Sequence, residues 1–305
     1  MARATRRERD VARATYQRHL TTQRVTDREL SRVLKDAADE ATEMIRRTTG
    51  RGIGAQIRRA QYMASRDALR RTMSDLWNGV ENATVRGLTR AAAEGAEGQA
   101  AYARMLAEAT RQEQIPAHHL RRMMGSAAET SGERVQSRLI NDIDLSPNVY
   151  RNRELSMGRV DRVVNNAIAT NQSAREIASG VRGLIRPDVR GGISYAAKRL
   201  GRTELNNAFH TTTVRHAQSI PFVDGMEWVL SWSHPREDIC DDLAEDDPDN
   251  LGTGVYLPDN VPFKPHPQCL CHTANVMMQQ ENFDDALLGG MFDNWLMENG
   301  EPPMT

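Results

Sequence analysis

A chain of 305 residues with 39% hydrophobic and 5% aromatic content is long enough for one large or two ordinary domains, yet its composition suits long solvated helices better than a thick globular core. Three cysteines cannot close a disulfide framework, which points to a reducing compartment. No apolar run reaches the length of a membrane span, and "MARATRRERDVARA" lacks the apolar centre of a signal peptide, so the expectation is a soluble protein with no membrane partner.

The formal net charge of −1 conceals an asymmetry. Residues 1–125 hold 24 Lys and Arg against 15 Asp and Glu, a net of +9, and residues 126–305 hold 16 against 26, a net of −10. From His234 to Thr305 only Arg236 and Lys264 stand against 15 carboxylates. A basic front and an acidic back suggest two different partners. Only Lys35, Lys198 and Lys264 of the 40 basic residues are lysine. Arginine grips phosphate and carboxylate alike through its bidentate fork, so this surface fits a polyanion or an acidic protein equally. Solvated helix faces laced with i,i+4 pairs are the plainer reading of most of these charges.

The first proline is Pro116, and the stretch before it is rich in Ala, Arg, Glu, Gln and Leu, which predicts long helices. "TDRELSRVLKDAADEATEMIRRTTG" offers Thr26 as N-cap with Glu29 three positions on, a capping box. Its apolar residues Leu30, Val33, Leu34, Ala37, Ala41 and Ile45 keep a 3–4 spacing up to Gly50. "RDALRRTMSDLWNGVENATVRGL" repeats the style, residues 91–109 read as a weaker helix, and another helix starts near Pro116. "SPNVYRNRELSMG" (146–158) reads as a joint. Two short helices follow, the second capped by Ser173 with Glu176 at the box position, and then a long helix that ends before Pro221.

The character then changes. "GMEWVLSW" alternates Met226, Trp228, Leu230 and Trp232 on one face with Glu227, Val229 and Ser231 on the other, a half-buried strand bounded by Gly225 and His234-Pro235. Turns and prolines lead to "KPHPQCLCHT" (264–273), and "CHTANVMM" reads as a return strand. The last residues are acidic with Phe283, Leu287, Leu288, Met291, Phe292, Trp295 and Leu296 interspersed: a short amphipathic helix held against a partner, or a frayed tail. The fold expected is α+β and predominantly helical: long N-terminal helices, then a small C-terminal subdomain with a short antiparallel sheet and a Cys/His loop. The divisions are 1–145 (Arg-rich helical), 146–276 and 277–305 (acidic tail).

Cys240 with His266-x-x-Cys269-x-Cys271 supplies three thiolates and an imidazole, a donor set that structural zinc prefers. His272 and Asp241 are spare donors. Cys240 has Leu243 where a second knuckle cysteine would sit, and a proline-rich turn packed on small Cys side chains accounts for the same residues. Both readings stay open at this level.

"GRTELNNA", the Trp-containing strand "MEWVLSWSHPREDIC" and the closure "PHPQCLC" together resemble the phage Mu F-like minor head protein family, also called the head morphogenesis domain. The matching positions are Arg202, Thr203 and Glu204 on a helix, then Trp232, Arg236 and Cys240, then His266, Pro267, Cys269 and Cys271, covering roughly residues 155–276. Many members have a Cys where this chain has Leu243, and an Arg where it has Leu270. The resemblance implies a non-enzymatic minor structural protein of a tailed-phage head, located in the virion. It would contact portal and major capsid proteins, act in head assembly, and assist DNA packaging or ejection. Two other functions follow from the residues. One is a sequence-independent DNA-binding module using arginines such as Arg3, Arg6, Arg7 and Arg9 to neutralise phosphates, without aromatic stacking. The other is a zinc-dependent enzyme or toxin domain using Arg202 and Glu204. Residues two apart on a helix do not face each other, so an ion-pair role joining that helix to the C-terminal subdomain is the better expectation for either.

Overall fold

The computed structural model describes residues 3–48, 55–109, 147–170, 172–186, 190–234 and 236–298. Of these 73% are helical, in eight helices, with one three-stranded antiparallel sheet near the C-terminus. The helix expected near Pro116 lies outside the described residues.

Helix α1 spans Arg6–Thr48, with Glu8 in its first turn and Arg46 and Arg47 in its last, matching the charge of each helix end. Thr26 is therefore not a cap. It lies mid-helix and is 2% exposed, because the Ala, Arg, Gln and Leu residues before it propagate helix as readily as those after it. Helix α2 spans Ala55–Ala109 and absorbs the segment expected to be weak. Its glycines mark close approach of neighbours rather than helix ends. A Cβ on Gly98 would meet Thr15 Cγ2 at 2.5 Å, and one on Gly79 would meet Val33 Cγ1 at 2.8 Å.

Helix α3, Pro147–Ala169, occupies the stretch read as a joint. Pro147 suits a first-turn position, where its missing N–H costs nothing. Helix α4, Ala174–Ile185, carries the expected capping box of Ser173 and Glu176, and α5, Ile193–Gln218, runs to the turn before Pro221.

The described residues form two compact units. One draws on Gln23–Gly87 and Asp144–Glu204, the other on Met1–Thr22, Leu88–Ile143 and Leu205–Thr305. In the first unit Leu30, Leu34, Ala41 and Ile45 of α1 are buried, as are Leu69, Met73, Trp77 and Val80 of α2 and Val160, Val164 and Ala167 of α3. These are the 3–4 spacings of amphipathic helices. Exposed pairs such as Arg70–Asp161 at 2.8 Å and Arg182–Asp39 at 2.7 Å sit around them, each worth at most about 1 kcal/mol.

The second unit holds the sheet, ordered β2-β1-β3: β1 Val223–Val229, β2 Val255–Tyr256 and β3 His272–Met277. Both pairings are antiparallel, Met226 facing Tyr256 on one side and Asn275 on the other. The free edge of β3 is blunted by helix side chains. Asn275 N donates to Tyr102 Oη at 3.2 Å and Met277 N to Glu8 Oε1 at 2.7 Å, which satisfies backbone donors that would otherwise template another strand. On β1, Glu227 is buried and receives a two-pronged grip from Arg9, at 2.8 and 3.1 Å.

The strand begins at Val223, before the expected Gly225, and stops at Val229. Trp232 therefore does not share the buried face of Met226 and Trp228, and it is 88% exposed. Up to Glu298 the acidic C-terminal stretch is helical, with Leu288 and Met291 exposed. Helix α6 is Ile239–Glu245, and α7 (Gln280–Leu288) and α8 (Asp293–Glu298) bury Phe283, Leu287, Phe292 and Leu296 around Phe222.

Gly254 has φ +74, and a Cβ there would lie 2.6 Å from the carbonyl oxygen of Ala244. Its own carbonyl accepts the Trp228 N–H at 2.8 Å. Gly254→Ala is therefore expected to lower stability by about 1–3 kcal/mol, measured by urea denaturation. A loss under a few tenths of a kcal/mol would refute the strained, crowded geometry.

Candidate metal centre

Helix α6 begins with a capping box. Asp238 accepts from Cys240 N at 2.8 Å, and Asp241 accepts from Asp238 N at 2.7 Å. The box fixes Cys240 in the first turn with its side chain fully buried. On the other side "HPQC" makes a tight turn: Cys269 N donates to His266 O at 3.2 Å, Pro267 occupies the second position, and Gln268 has φ 61 at the third. Proline second and positive φ third is the pattern of a type II turn. It aims His266 back at the helix as the chain enters β3. Cys269 and Cys271, two apart in extended chain, fall on one side.

The result is a convergence across 29 positions of sequence. Cys240 Sγ lies 3.6 Å from Cys269 Sγ and 3.4 Å from His266 Nε2, and the three ligand atoms all lie within 4.8 Å of one another. Around a tetrahedral ion, thiolates at about 2.3 Å stand roughly 3.8 Å apart, and thiolate and imidazole nitrogen roughly 3.6 Å. The observed spacings are those of tetrahedron edges, and the donors are those zinc takes. This Cys/His/Cys cluster could hold a metal ion.

Cys271 is 1% exposed, and its thiol hydrogen-bonds that of Cys269. On its far side it faces His234 Nδ1 at 3.9 Å, while His234 Nε2 donates to Asp241 at 2.8 Å. His234 was not singled out from the sequence. The signal was present: "SHPREDIC" and "PHPQCLC" each set a His-Pro before a cysteine. The hydrogen bond to Asp241 raises the pKa of His234. The hydrogen bond from Cys271, with the charge of Lys264, draws the Cys269 thiol down to about 5 despite burial, and burial pushes Cys240 up to about 12.

Cys271, His234 and Asp241 lie in the order of a nucleophile, base and orienting acid. However, Cys271 is enclosed, and its pKa is raised by the bond to Cys269 and by burial, the opposite of an activated thiol. The arrangement suits a ligand held by outer partners better than a nucleophile.

Beneath the loop, His210 of α5 donates from Nε2 to Pro262 O at 2.8 Å and meets the Trp228 ring edge-on at 5.8 Å. Burial holds its pKa down to about 3. A histidine depressed in the fold contributes stability that is complete above about pH 6.5 and lost as pH falls toward 3. Over that window stability should fall by up to on the order of 1.4 kcal/mol per pH unit, and His210→Gln should flatten the slope relative to wild type. Parallel pH profiles for the two proteins would rule this out.

The remaining sequence-derived residues are dispersed. His272 stacks on Tyr16 at 4.4 Å and 6° and is not among the converging donors. Arg202 hydrogen-bonds Asp27 of α1, at 2.7 and 2.9 Å, and so pins two helices. Thr203 Oγ1 donates to Arg199 O, and Glu204 follows on the same helix. These three belong to the other compact unit from the Cys/His closure. Trp232, Arg236 and Pro267 are exposed. Arg3, Arg6 and Arg7 are exposed as well, whereas Arg9 is engaged by Glu227. No helix among the described residues is long and apolar enough to cross a membrane. No family model, curated protein or solved structure matches this chain.

Proposed function

We propose that this chain is a minor structural protein of a tailed-phage head, a virion component assembled in the host cytoplasm. It docks on portal and major capsid proteins and acts in head assembly and in packaging or ejection of DNA. In this reading the C-terminal subdomain is closed by a structural zinc held by Cys240, His266, Cys269 and Cys271. Zinc bound there supplies a cross-link and takes no part in a reaction.

The observation that carries the reading is the ordered set of an Arg-Thr-Glu helix, a Trp-containing strand and a His-Pro-x-Cys-x-Cys closure, of which His266 and Cys269 converge with Cys240. The enclosure of Cys271 favours a structural over a catalytic role. The exposed Arg3, Arg6 and Arg7 are free to meet phosphates, and such contacts would be sequence-independent and weakened steeply by salt.

The test is fractionation. Particles of the phage that encodes the chain, banded by density, should carry it in low copy together with portal and capsid proteins. Heads that form, fill and infect normally when the chain is deleted, with none of it in the particle band, would end this reading. Salt titration of duplex DNA against the full chain separates a DNA-contacting front from one that serves protein contacts.

A further inference from the structure

Between His234 and Thr305 a basic side chain is surrounded by carboxylates in sequence, 15 of them against Arg236 and Lys264. Arg236 is exposed, as expected of a charge in such a segment. Lys264 behaves differently. It is drawn in from solvent, with its ammonium donating to the backbone carbonyl of Cys271 and lying 5.5 Å from the centre of the Trp228 ring. Trp228 is 2% exposed and packs in one buried cluster with Cys240, Cys269, Cys271 and Tyr256. Among the described residues no carboxylate is paired with Lys264.

A half-buried cation in an acid-rich segment, yet without an acid partner among the described residues, is costly unless another negative charge compensates it. The thiols supply that charge once they bind a metal. A divalent ion with three thiolates and one imidazole is a centre of net charge −1, and with two thiolates and two imidazoles it is neutral. Cys271 packs in one buried cluster with Cys240 and Cys269, and His234 Nδ1 lies 3.9 Å from it, so these two are the candidates to complete the set of Cys240, His266 and Cys269. Charge decides between them.

We propose that Lys264 is the counter-cation of the metal centre and a specificity-determining residue for it, selecting Cys271 over His234 as the fourth ligand. This rests on the zinc reading above. The interaction of the ammonium with the Trp228 face holds it in place without consuming its charge, and the bond to the Cys271 carbonyl ties its position to the backbone that presents the thiolate. The role belongs to the charge rather than the bulk of the side chain, so arginine should replace it and a neutral isostere should not.

The experiment uses the full chain, loaded with zinc or with cobalt(II) as a spectroscopic substitute. Zinc affinity is read by competition with a chromophoric chelator, and thiolate number by the intensity of sulfur-to-cobalt absorption. Wild type should show a three-thiolate spectrum. Lys264→Gln should bind zinc 10- to 100-fold more weakly, the usual range for loss of an outer partner. Its cobalt absorption should drop by about a third, as one thiolate of three gives way to imidazole. Lys264→Arg should keep the wild-type spectrum and lie within about threefold of its affinity.

If wild type takes up no metal, the zinc reading fails and this inference with it. If wild type binds and Lys264→Gln matches it in affinity and spectrum, the inference alone is overturned. Equal losses in Lys264→Gln and Lys264→Arg would assign the effect to shape and also overturn it. Should Lys264→Gln not fold, acylation of the wild-type protein decides. With only three lysines, mass spectrometry should find Lys264 protected relative to the exposed Lys35 while metal is bound, and reactive after chelation. Equal labelling of the two in the loaded protein would refute the proposal.

Discussion

Replacing Cys240 with serine is expected to abolish stoichiometric zinc and to open the segment 234–272 to protease. The segment is proline-rich and acidic, and ordering each of its residues costs about 1–2 kcal/mol of backbone entropy. Against that stand the buried Trp228, Val255 and Tyr256, the capping box at Asp238, the Tyr256 hydroxyl on Leu243 O at 2.7 Å and the converging donors. Apparent binding free energies at structural zinc sites are on the order of 10 kcal/mol, so zinc bound at this cluster would outweigh any other single contribution to the segment. Cys240 lies at the vertex of that set, within 3.6 Å of both partners. Elemental analysis should give one zinc per chain for wild type and less than about a tenth for Cys240→Ser. Limited proteolysis should cut the variant within 241–268 while sparing α5. Full zinc content with unchanged protease resistance would show that packing alone closes the loop.

Phe222→Ala should cost about 3–5 kcal/mol, the range for deleting an enclosed aromatic ring. Phe222 is 1% exposed and meets Phe283, Phe292 and Trp295 edge-on at 5.3, 5.8 and 5.7 Å. It is the residue on which α7 and α8 converge, and these short helices have no independent stability. Their loss would release the acidic end from a defined surface. Urea denaturation followed by tryptophan fluorescence reads the loss, with Trp295, which donates to Ser219 O at 2.8 Å, one of the four reporters. A loss below about 1 kcal/mol would mean that the C-terminal helices dock elsewhere.

Much of this protein is written locally. A proline-free run of strong helix formers with apolar residues three and four apart makes long helices wherever it occurs. Ser173 with Glu176 starts a helix because the two side chains satisfy orphan donors within one turn. The alternation through Met226 and Trp228 marks a strand, although packing buries its other face at Glu227 as well. The cysteines and histidines of "KPHPQCLCHT" carry metal-ligand chemistry in their side chains, so they were legible as candidates without coordinates. Signals that depend on context misled: Thr26 and Glu29 spell a capping box, but the helix that runs on from Arg6 overrides it, and the glycines of α2 mark contacts with Val33 and Thr15 rather than ends. Only the tertiary structure decided that Arg9 is committed to Glu227, 218 positions away, that Trp232 lies outside while Trp228 lies inside, that Cys240 meets His266 and Cys269 while His272 turns to Tyr16, and that Lys264 stands over Trp228 with no acid paired to it among the described residues. The reason is range: propensity, capping and periodicity act over a turn or two of chain, whereas partner choice between distant side chains is set by how whole elements pack, through burial and charge that no short stretch contains.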